Sequence, residues 1–295
     1  MRTASTTSTT SAPVADGTPS SASAAAKRAI RRRKVLVWAG RLGLAAFVIG
    51  GWQLFTTWKI VDPFFFGQPS GIAKRLVDYF QHGTEFGSYY SNIWTTIEEA
   101  LIGFAIGTVA GVLLGVALGQ SRYLADLLGP YIKIVNAIPR IVLGSIFIVA
   151  FGIGTTPKIL LAAVLVFFVV FFNAFQGARE VDRNILSNAK VLGASRLQII
   201  RHVIVPSALT WIVASLHSAL GFSIVGALVG EVLGARSGLG LVITTAQNNF
   251  DPNGVFATML TIAVLVLGAE WLMAKLEQRL LSWRPPSPSE SSNII

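Results

Sequence analysis

The sequence predicts an all-α protein that crosses a membrane about six times. Of its 295 residues, 53% are hydrophobic and only 13% are charged, whereas soluble domains carry about 25% charged residues. The apolar residues form continuous runs, and several are as long as the roughly 20 residues that a helix needs to cross a bilayer. These runs lack the alternating pattern of barrel strands, so helices are expected throughout the membrane.

Six apolar runs are candidate spans. Tryptophans occur at the ends of the first and last runs, as is typical of helices at a membrane interface; these are Trp38, Trp58 and Trp271. After the first run, residues 72–80 have the pattern of a short amphipathic helix outside the membrane. The predicted spans are residues 35–58, 93–119, 130–152, 158–178, 207–233 and 255–273.

The two ends of the chain differ from its middle. Residues 1–26 are mostly Ser, Thr, Ala, Pro and Gly, which bury too little apolar surface to offset the entropy of ordering. The basic run and apolar stretch that follow resemble a signal peptide, but the stretch is long and lacks a clear cleavage site, which favours a retained helix. The expected parts are a disordered, basic cytoplasmic tail (1–34), a first span with an external segment (35–86), a transmembrane domain (87–278) with a cytoplasmic loop (179–206), and a C-terminal tail (279–295).

Positive charge predicts the orientation of the chain. The formal net charge is +10, and Lys and Arg are concentrated in the N-terminal tail, the loop 179–206 and the C-terminal segment. Because positive residues accumulate on the cytoplasmic side of membrane proteins, both termini are expected in the cytoplasm. The basic residues flank spans and form no separate recognition face, so nucleic-acid binding is not expected.

Glycine recurs every fourth residue in the second predicted span. This spacing keeps small residues along one side of a helix, where another backbone can approach closely. Glycines 226, 230 and 234 repeat the pattern in the fifth span. Packing inside one subunit is the simpler interpretation, and a subunit interface or a moving gate is the alternative. The residues of the stripe are Gly103, Gly107, Gly111, Gly115 and Gly119.

The loop 179–206 has the pattern of two short helices joined at an elbow. Gly193 suits the left-handed position that ends a helix, and Ser195 with Gln198 has the spacing of a capping box that begins the next helix. Pro206 then ends this second helix or begins the next span.

The second half of the elbow is amphipathic in sequence. Leu197, Ile200 and Ile204 are expected on one helical face. A short amphipathic segment outside the bilayer needs a cover for its apolar side. Lipid headgroups are one candidate cover, and a protein partner is the other.

This elbow resembles the signature loop of the permease subunits of binding-protein-dependent ABC importers. The family pattern is Glu-Ala-Ala, three residues, Gly, nine residues, Ile, any residue, Leu-Pro. Ala189, Gly193 and Pro206 match it at the required spacing. Ser187 and Asn188 stand where the family has Glu and the first Ala, and valines replace the Ile and the Leu.

The resemblance extends over roughly residues 60–280 and is greatest to the nitrate, sulfonate and taurine-type permeases. Short motifs match that branch in order and spacing: Pro69-Ser70, Phe151 to Gly154, Pro157-Lys158, Glu231 to Gly234 and Ser237 to Gly240. The resemblance implies a type I importer permease, a multi-pass protein of a bacterial inner membrane that forms the pathway for a small solute. A sulfonate-, taurine- or nitrate-like compound is the expected solute.

The same resemblance implies partners. A separate ATP-binding subunit, an extracytoplasmic solute-binding protein and a second permease chain, expected to be an identical copy, would complete the transporter within membrane lipid. The elbow would be the coupling helix that docks on the ATP-binding subunit. Its expected contact residues are Ala189, Leu192, Gly193, Ala194, Ser195, Arg196 and Pro206.

The sequence offers little support for an enzyme. No Gly-Lys pair occurs, so there is no phosphate-binding loop of the Gly-x4-Gly-Lys type, and ATP hydrolysis is expected on a partner. The chain has no cysteine, and its three histidines lie in unrelated segments. No catalytic residue, metal or cofactor is therefore expected. An ion-driven secondary transporter is the alternative function, but it predicts inverted repeats with broken helices and does not explain the elbow.

Polar residues inside the predicted spans are candidates for the translocation path. A charge at the bilayer centre costs about 2.5–3.5 kcal/mol on insertion scales, so it usually faces a cavity or a partner. A hydrogen bond between helices is the simpler interpretation for each candidate. Glu98 and Glu99 are instead expected to begin the second span, where carboxylates suit a helix N-terminus. The path candidates are Asn136, Arg140, Asn173, His217 and Glu231.

Overall fold

The computed structural model describes residues 21–180 and 183–280, and these residues are mostly helical. Within these ranges there is no β-strand, and the isolated backbone bridge joins Thr84 and Gly87. The all-α prediction is confirmed. The helices are α1 (Ser21–Thr57), α2 (Pro63–Phe66), α3 (Pro69–His82), α4 (Tyr89–Gly119), α5 (Arg122–Ala137), α6 (Val142–Phe151), α7 (Thr156–Arg179), α8 (Arg183–Val191), α9 (Arg196–Ile199), α10 (Val205–Leu233), α11 (Leu239–Asn248) and α12 (Pro252–Leu280).

Helix α1 contains the first predicted span. The chain divides at this helix into one unit that runs up to Gly51 and another that begins at Trp52. In the first unit, the large apolar side chains from Val35 to Ile49 are exposed, as suits a helix that faces lipid.

The start of α1 differs from the prediction for the N-terminal tail. The composition predicts disorder up to residue 34, yet residues 21–34 are helical. This stretch is rich in Ala and Arg, which are strong helix formers, and it continues directly into the apolar span. Residues 1–20 of the predicted tail and residues 281–295 of the predicted C-terminal tail lie outside the described part.

Helices α4 and α7 pack closely along the glycine stripe of α4. A Cβ atom at Gly103 would lie 2.9 Å from the carbonyl oxygen of Ile159, and one at Gly119 would lie 2.7 Å from Cβ of Ala178. Since the contact positions rise together in both helices, α4 and α7 run parallel. The stripe thus packs within one chain, as in the simpler of its two interpretations.

Helix α10 packs on α7 and runs in the opposite direction. Gly226 lies against Ala162 of α7, and Gly230 lies against Lys158, which is one turn earlier. Helices α4, α7 and α10 therefore form a core in which α10 is antiparallel to the other two. One end of this core contains the start of α7 and the end of α10, and the other contains the end of α7 and the start of α10.

A bent helix pair takes the place of the third predicted span. The sequence predicts a span over residues 130–152, and in the structure this segment is covered by α5 and α6, which meet at an angle of 89°. Pro139 lies at the break, and a proline disfavours the helical conformation of the residue before it. Ile138 is accordingly extended, with φ −68° and ψ 129°. The third predicted span is thus present as a helix pair bent at the proline.

The number of spans is close to the prediction. In the described part of the chain, five helices are long and apolar enough to cross a membrane, or six spans result if the bent pair counts as one. Because α4 and α7 run parallel, the chain must return between them, and the bent pair is the segment that makes this return.

Helices α3 and α11 cover the end of the core where α7 begins. Helix α3 confirms the amphipathic helix predicted over residues 72–80. Its buried Ile72 and Tyr79 pack in one apolar cluster with Leu239 and Val242 of α11.

A salt bridge also joins α3 to the segment before α12. Arg75 Nη2 lies 2.6 Å from Asp251 Oδ2, and Arg75 Nη1 lies 3.2 Å from Asp78 Oδ2. Burial raises the pKa of Tyr79, and the nearby Arg75 guanidinium opposes this rise. The bridge adds a contact between α3 and the segment before α12 outside the spans.

Candidate functional site

The elbow lies at the end of the core where α7 ends and α10 begins. Helix α8 ends at Val191, and Gly193, which follows two residues later, has a left-handed backbone with φ 78°. The N–H of Ala194 donates to the carbonyl oxygen of Ala189 at 3.0 Å, which is the closing bond of a Schellman motif. A Cβ atom at Gly193 would have no heavy atom within 4 Å. The backbone conformation, and not crowding, therefore demands glycine here.

The second helix of the elbow begins with the predicted capping box. Ser195 N donates to Gln198 Oε1 at 2.8 Å, and Gln198 N donates to Ser195 Oγ at 3.3 Å. These reciprocal bonds satisfy two N–H groups that have no partner within the helix. The end of α8 and the start of α9 are thus separated by only a few residues, which makes the elbow a sharp and ordered corner.

A π-helical turn joins α9 to α10. It covers Ile200–Ile204, and Val205 N donates to the carbonyl oxygen of Ile200, five residues back. Pro206 lies in the first turn of α10 and has no N–H for the usual helical bond. A wider turn at this point agrees with that missing donor.

The π turn changes which residues share a face. Ile199 and Ile204, five residues apart, are both buried, whereas Leu197 is 73% exposed. Leu197 therefore does not share an apolar face with Ile200 and Ile204, and this part of the prediction is wrong. The prediction assumed the regular α-helical spacing, and the π turn interrupts that spacing.

The elbow has one face on the core and one free apolar face. Ile199 and Ile204 pack with Ala178 of α7, and Val116 of α4 packs against the same cluster. On the other side, three apolar side chains project away from the core. They are Val191, Leu192 and Leu197, which are 87%, 85% and 73% exposed.

At the opposite end of the core, buried polar groups tie α11 to α4 and α10. Thr96 Oγ1 donates to Glu231 Oε1 at 2.7 Å and accepts from Leu239 N at 2.9 Å. Gly240 N donates to Glu231 Oε2 at 2.6 Å, and Gly238 N donates to Asn92 Oδ1 at 2.8 Å. The first N–H groups of α11, which have no partner within the helix, are thereby satisfied.

Two further charged residues belong to this group, and both are buried. Lys158 Nζ donates to the carbonyl oxygens of Ile153 and Gly154 at 2.7 and 2.5 Å and interacts electrostatically with Glu99 and Glu231. Glu99 is buried beside Glu231, and the carboxyl groups of the two residues interact. We call the whole group the polar cluster: Asn92, Thr96, Glu99, Lys158 and Glu231.

The candidates for the translocation path are dispersed in the structure. Glu231 belongs to the polar cluster. Asn173 donates to the carbonyl oxygen of Val169 in its own helix at 2.8 Å. His217 Nδ1 of α10 lies 3.3 Å from Glu277 Oε2 of α12. Contacts between helices, the simpler interpretation, are present for Glu231 and His217, whereas Asn173 bonds within α7.

Asn136 and Arg140 are the pair of path candidates that the structure brings into contact. They flank the break between α5 and α6, and Arg140 Nη2 donates to Asn136 Oδ1. The guanidinium of Arg140 also lies over the ring of Phe168 in α7, 4.6 Å from its centroid.

Sequence reasoning missed most of the polar cluster. Glu98 and Glu99 are predicted to begin the second span, but α4 already begins at Tyr89, where Ser88 Oγ accepts from Ser91 N at 3.1 Å. That prediction is wrong, because the serine caps the helix eleven residues before Glu99. The sequence does contain a signal: each of three apolar runs has polar residues near one end. These three ends are known to meet only once the packing of the helices is known.

Comparisons with known proteins agree on one family. Residues 107–282 match the family described as binding-protein-dependent transport system inner membrane component. The putative aliphatic sulfonates transport permease protein SsuC of Bacillus subtilis is 31% identical over 252 residues, which are 85% of this chain and 90% of that relative. The riboflavin transport system permease protein RibX of Chloroflexus aurantiacus is 34% identical over 232 residues, which are 79% and 85% of the two chains.

A solved structure supports the fold. A structure of inward-facing conformations of the MetNI methionine ABC transporter covers 65% of this chain and 94% of its own, with a TM-score of 0.56 and 21% identity. The sulfonate relative confirms the resemblance to the nitrate, sulfonate and taurine-type branch. Since a family match over more than half of the chain agrees with relatives above 30% identity over most of its length, the chain belongs to the inner membrane components of binding-protein-dependent transport systems and is a permease subunit of an ABC importer.

Proposed function

We propose that this permease imports a small anion and that its elbow is the docking surface for a separate ATP-binding subunit. The observation that carries the docking proposal is the free apolar face of Val191, Leu192 and Leu197. Exposed apolar side chains at an ordered corner, outside the spans, are typical of a protein interaction site. Lipid headgroups are the other possible cover for this face.

The packing of the elbow supports a mechanical role. Ile199 and Ile204 pack with Ala178 of α7 and Val116 of α4, so a push on the elbow is passed to both helices. These two helices are in close contact along the glycine stripe and are expected to move as one body. Closure of the ATP-binding subunits would thus rock α4 and α7 together. This movement would open the pathway first to one side of the membrane and then to the other.

The remaining partners follow from the family. A second permease chain, expected to be an identical copy, would complete the pathway, and an extracytoplasmic solute-binding protein would deliver the solute. Positive charge in the segment 179–206 favours a cytoplasmic elbow with both termini on the same side. The end of the core with the polar cluster would then face the binding protein. ATP hydrolysis is assigned to the partner, and no nucleic acid takes part.

The relatives differ in the solute that their names describe. One is named for aliphatic sulfonates, and another is named for riboflavin. We favour a small anion of the sulfonate, taurine or nitrate kind, since the sulfonate relative matches more of this chain. The solute-binding protein is expected to make most of the selection.

Co-purification tests the docking surface. The tagged permease is expressed with the ATP-binding subunit from its own gene neighbourhood and purified in detergent. Leu192→Asp places a charge on the free apolar face without touching the core. We expect most of the ATP-binding subunit to be absent from the permease purified with this substitution. Val77→Asp is the matched control, because Val77 is an apolar residue that is 52% exposed on α3, at the other end of the core.

Two outcomes would contradict the proposal. The elbow is not the docking surface if Leu192→Asp and the unmodified chain retain equal amounts of the ATP-binding subunit. If no ATP-binding subunit accompanies even the unmodified chain, uptake driven by an ion gradient becomes the function to test.

A further inference from the structure

The break between α5 and α6 places an arginine against the middle of a spanning helix. The guanidinium of Arg140 lies 4.6 Å from the centre of the Phe168 ring. Phe168 stands about midway along α7 (Thr156–Arg179), which is long and apolar enough to cross the membrane. The positive charge therefore lies at about the depth of the bilayer centre.

This arginine has no counter-charge in the described part of the chain. Its Nη2 donates to Asn136 Oδ1, but none of the ion pairs among the described residues includes Arg140. Its Nε is buried and has no hydrogen-bond partner. A cation at this depth normally faces a partner or the transported substance.

The position and the chemistry of Arg140 suit an anionic ligand. Helix breaks at mid-membrane depth are tolerated where the irregular backbone lines a cavity, and transporters use such breaks as binding sites. The planar guanidinium presents paired donors that match the oxygens of a carboxylate or a sulfonate. Lys133 is exposed within the chain, and it lies on the same face of α5 as Asn136, three residues earlier.

We propose that Arg140, oriented by Asn136, binds the anionic group of the transported solute at the middle of the membrane. The inference rests on the proposed function, because it takes the chain as a pathway for a small anion. A lipid headgroup is not the expected ligand, since headgroups lie at the bilayer surface and Arg140 lies near its centre. Lys133 would extend the positive potential along α5 toward the end with the elbow.

Binding of a small sulfonate to the isolated permease tests this site. The full-length chain is placed in nanodiscs of neutral lipid, and saturation transfer to the methyl protons of methanesulfonate is followed as its concentration is raised. Dimethyl sulfone is the matched ligand, because it has nearly the same shape and no charge. We expect saturable transfer to methanesulfonate and none to dimethyl sulfone.

Variants locate the binding on the chain. Arg140→Gln is expected to weaken binding of methanesulfonate about tenfold or more, whereas Arg140→Lys, which keeps the charge but loses the paired donors, should weaken it less. Arg236→Gln is the control, because it makes the same substitution at an exposed arginine in the loop before α11. Equal thermal unfolding midpoints for Arg140→Gln and the unmodified protein would exclude misfolding as the cause of a loss.

Three results would overturn the proposal. They are equal affinity in Arg140→Gln, equal binding of dimethyl sulfone, and no saturable transfer to the unmodified chain. The assay contains no ATP-binding subunit, so its outcome is independent of the co-purification test. If binding occurs but no ATP-binding subunit co-purifies, the docking assignment fails and the anion site stands.

Discussion

Thr96 Oγ1 lies 2.7 Å from Glu231 Oε1 and also accepts the N–H of Leu239 at 2.9 Å. One hydroxyl thus joins a carboxyl group of α10 to the first turn of α11, although Thr96 itself belongs to α4. Both side chains are almost completely buried. The pair holds three helices at one end of the core, so it is expected to contribute strongly to stability.

The first prediction removes this hydroxyl. Thr96→Val keeps the shape of the side chain but leaves Glu231 and the N–H of Leu239 each without one partner. An unsatisfied buried group costs about 1–3 kcal/mol, so we expect a clearly lower thermal unfolding midpoint in detergent. Thr95→Val is the control, because the Thr95 hydroxyl donates only to the carbonyl oxygen of Ser91 in its own helix, at 3.0 Å. Equal midpoints for the two variants would refute a linking role for Thr96.

The second prediction concerns the basic member of the polar cluster. Lys158→Met removes the donor to the carbonyl oxygens of Ile153 and Gly154 and the basic group that interacts with Glu99 and Glu231. Removal of one partner from a buried charged group costs about 3–5 kcal/mol, so this variant should be among the least stable single substitutions.

A double-mutant cycle separates charge from packing at Lys158. If the carboxyl groups are destabilised by the loss of the lysine, Glu99→Gln should recover part of the stability in the Lys158→Met background. We expect a coupling free energy above about 0.5 kcal/mol between the two substitutions, measured by denaturant unfolding. Strictly additive effects would mean that Lys158 acts only through the two carbonyl groups.

The third prediction tests the corner of the elbow. Gly193→Val forces a β-branched residue into the left-handed conformation with φ 78°, at a cost of about 1–2 kcal/mol. That energy lowers the ratio of native to non-native elbow conformations roughly five- to thirty-fold. We expect membrane insertion to continue and uptake to fall, while the assembled transporter still hydrolyses ATP in proteoliposomes.

A matched substitution distinguishes backbone strain from bulk at this corner. Gly193→Asn adds a side chain of similar size, but asparagine tolerates the left-handed region. Because no heavy atom lies within 4 Å of a Cβ atom at Gly193, we expect the Asn variant to retain most uptake. Normal uptake in Gly193→Val would show that the shape of the elbow does not matter for coupling.

The elbow could be predicted because its determinants are local. Gly193, Ser195 and Gln198 lie within six residues, and each has a conformational preference that acts within a single turn. The π turn that follows escaped prediction, since it arises where the helix of the elbow meets Pro206 of α10. A regular α-helical spacing was the natural assumption, and it misplaced Leu197.

The polar cluster could not be predicted in the same way. Thr96, Lys158 and Glu231 are each a single polar residue in an apolar run, and nothing in the sequence pairs them. Their contacts depend on the parallel packing of α4 and α7 and on the antiparallel α10. The break at Pro139 is an intermediate case, because the proline was visible but the apolar run continued on both sides of it.

The fourth prediction tests the close packing of α4 on α7. A Cβ atom at Gly107 would lie 2.7 Å from Cβ of Val166 and would also meet the backbone of Ala163. Gly107→Ala must therefore push the two helices apart, and we expect a loss of about 1–3 kcal/mol in unfolding free energy.

Gly268→Ala is the control, since Gly268 lies within α12 and a Cβ atom there would have no heavy atom within 4 Å. Because an added methyl group at Gly268 meets open space, this variant should lose no stability, so only Gly107→Ala is expected to lower the unfolding free energy. If Gly107→Ala instead leaves stability unchanged and lowers only uptake, the stripe would have to serve a moving gate, because rigid packing cannot accept the added methyl group without cost.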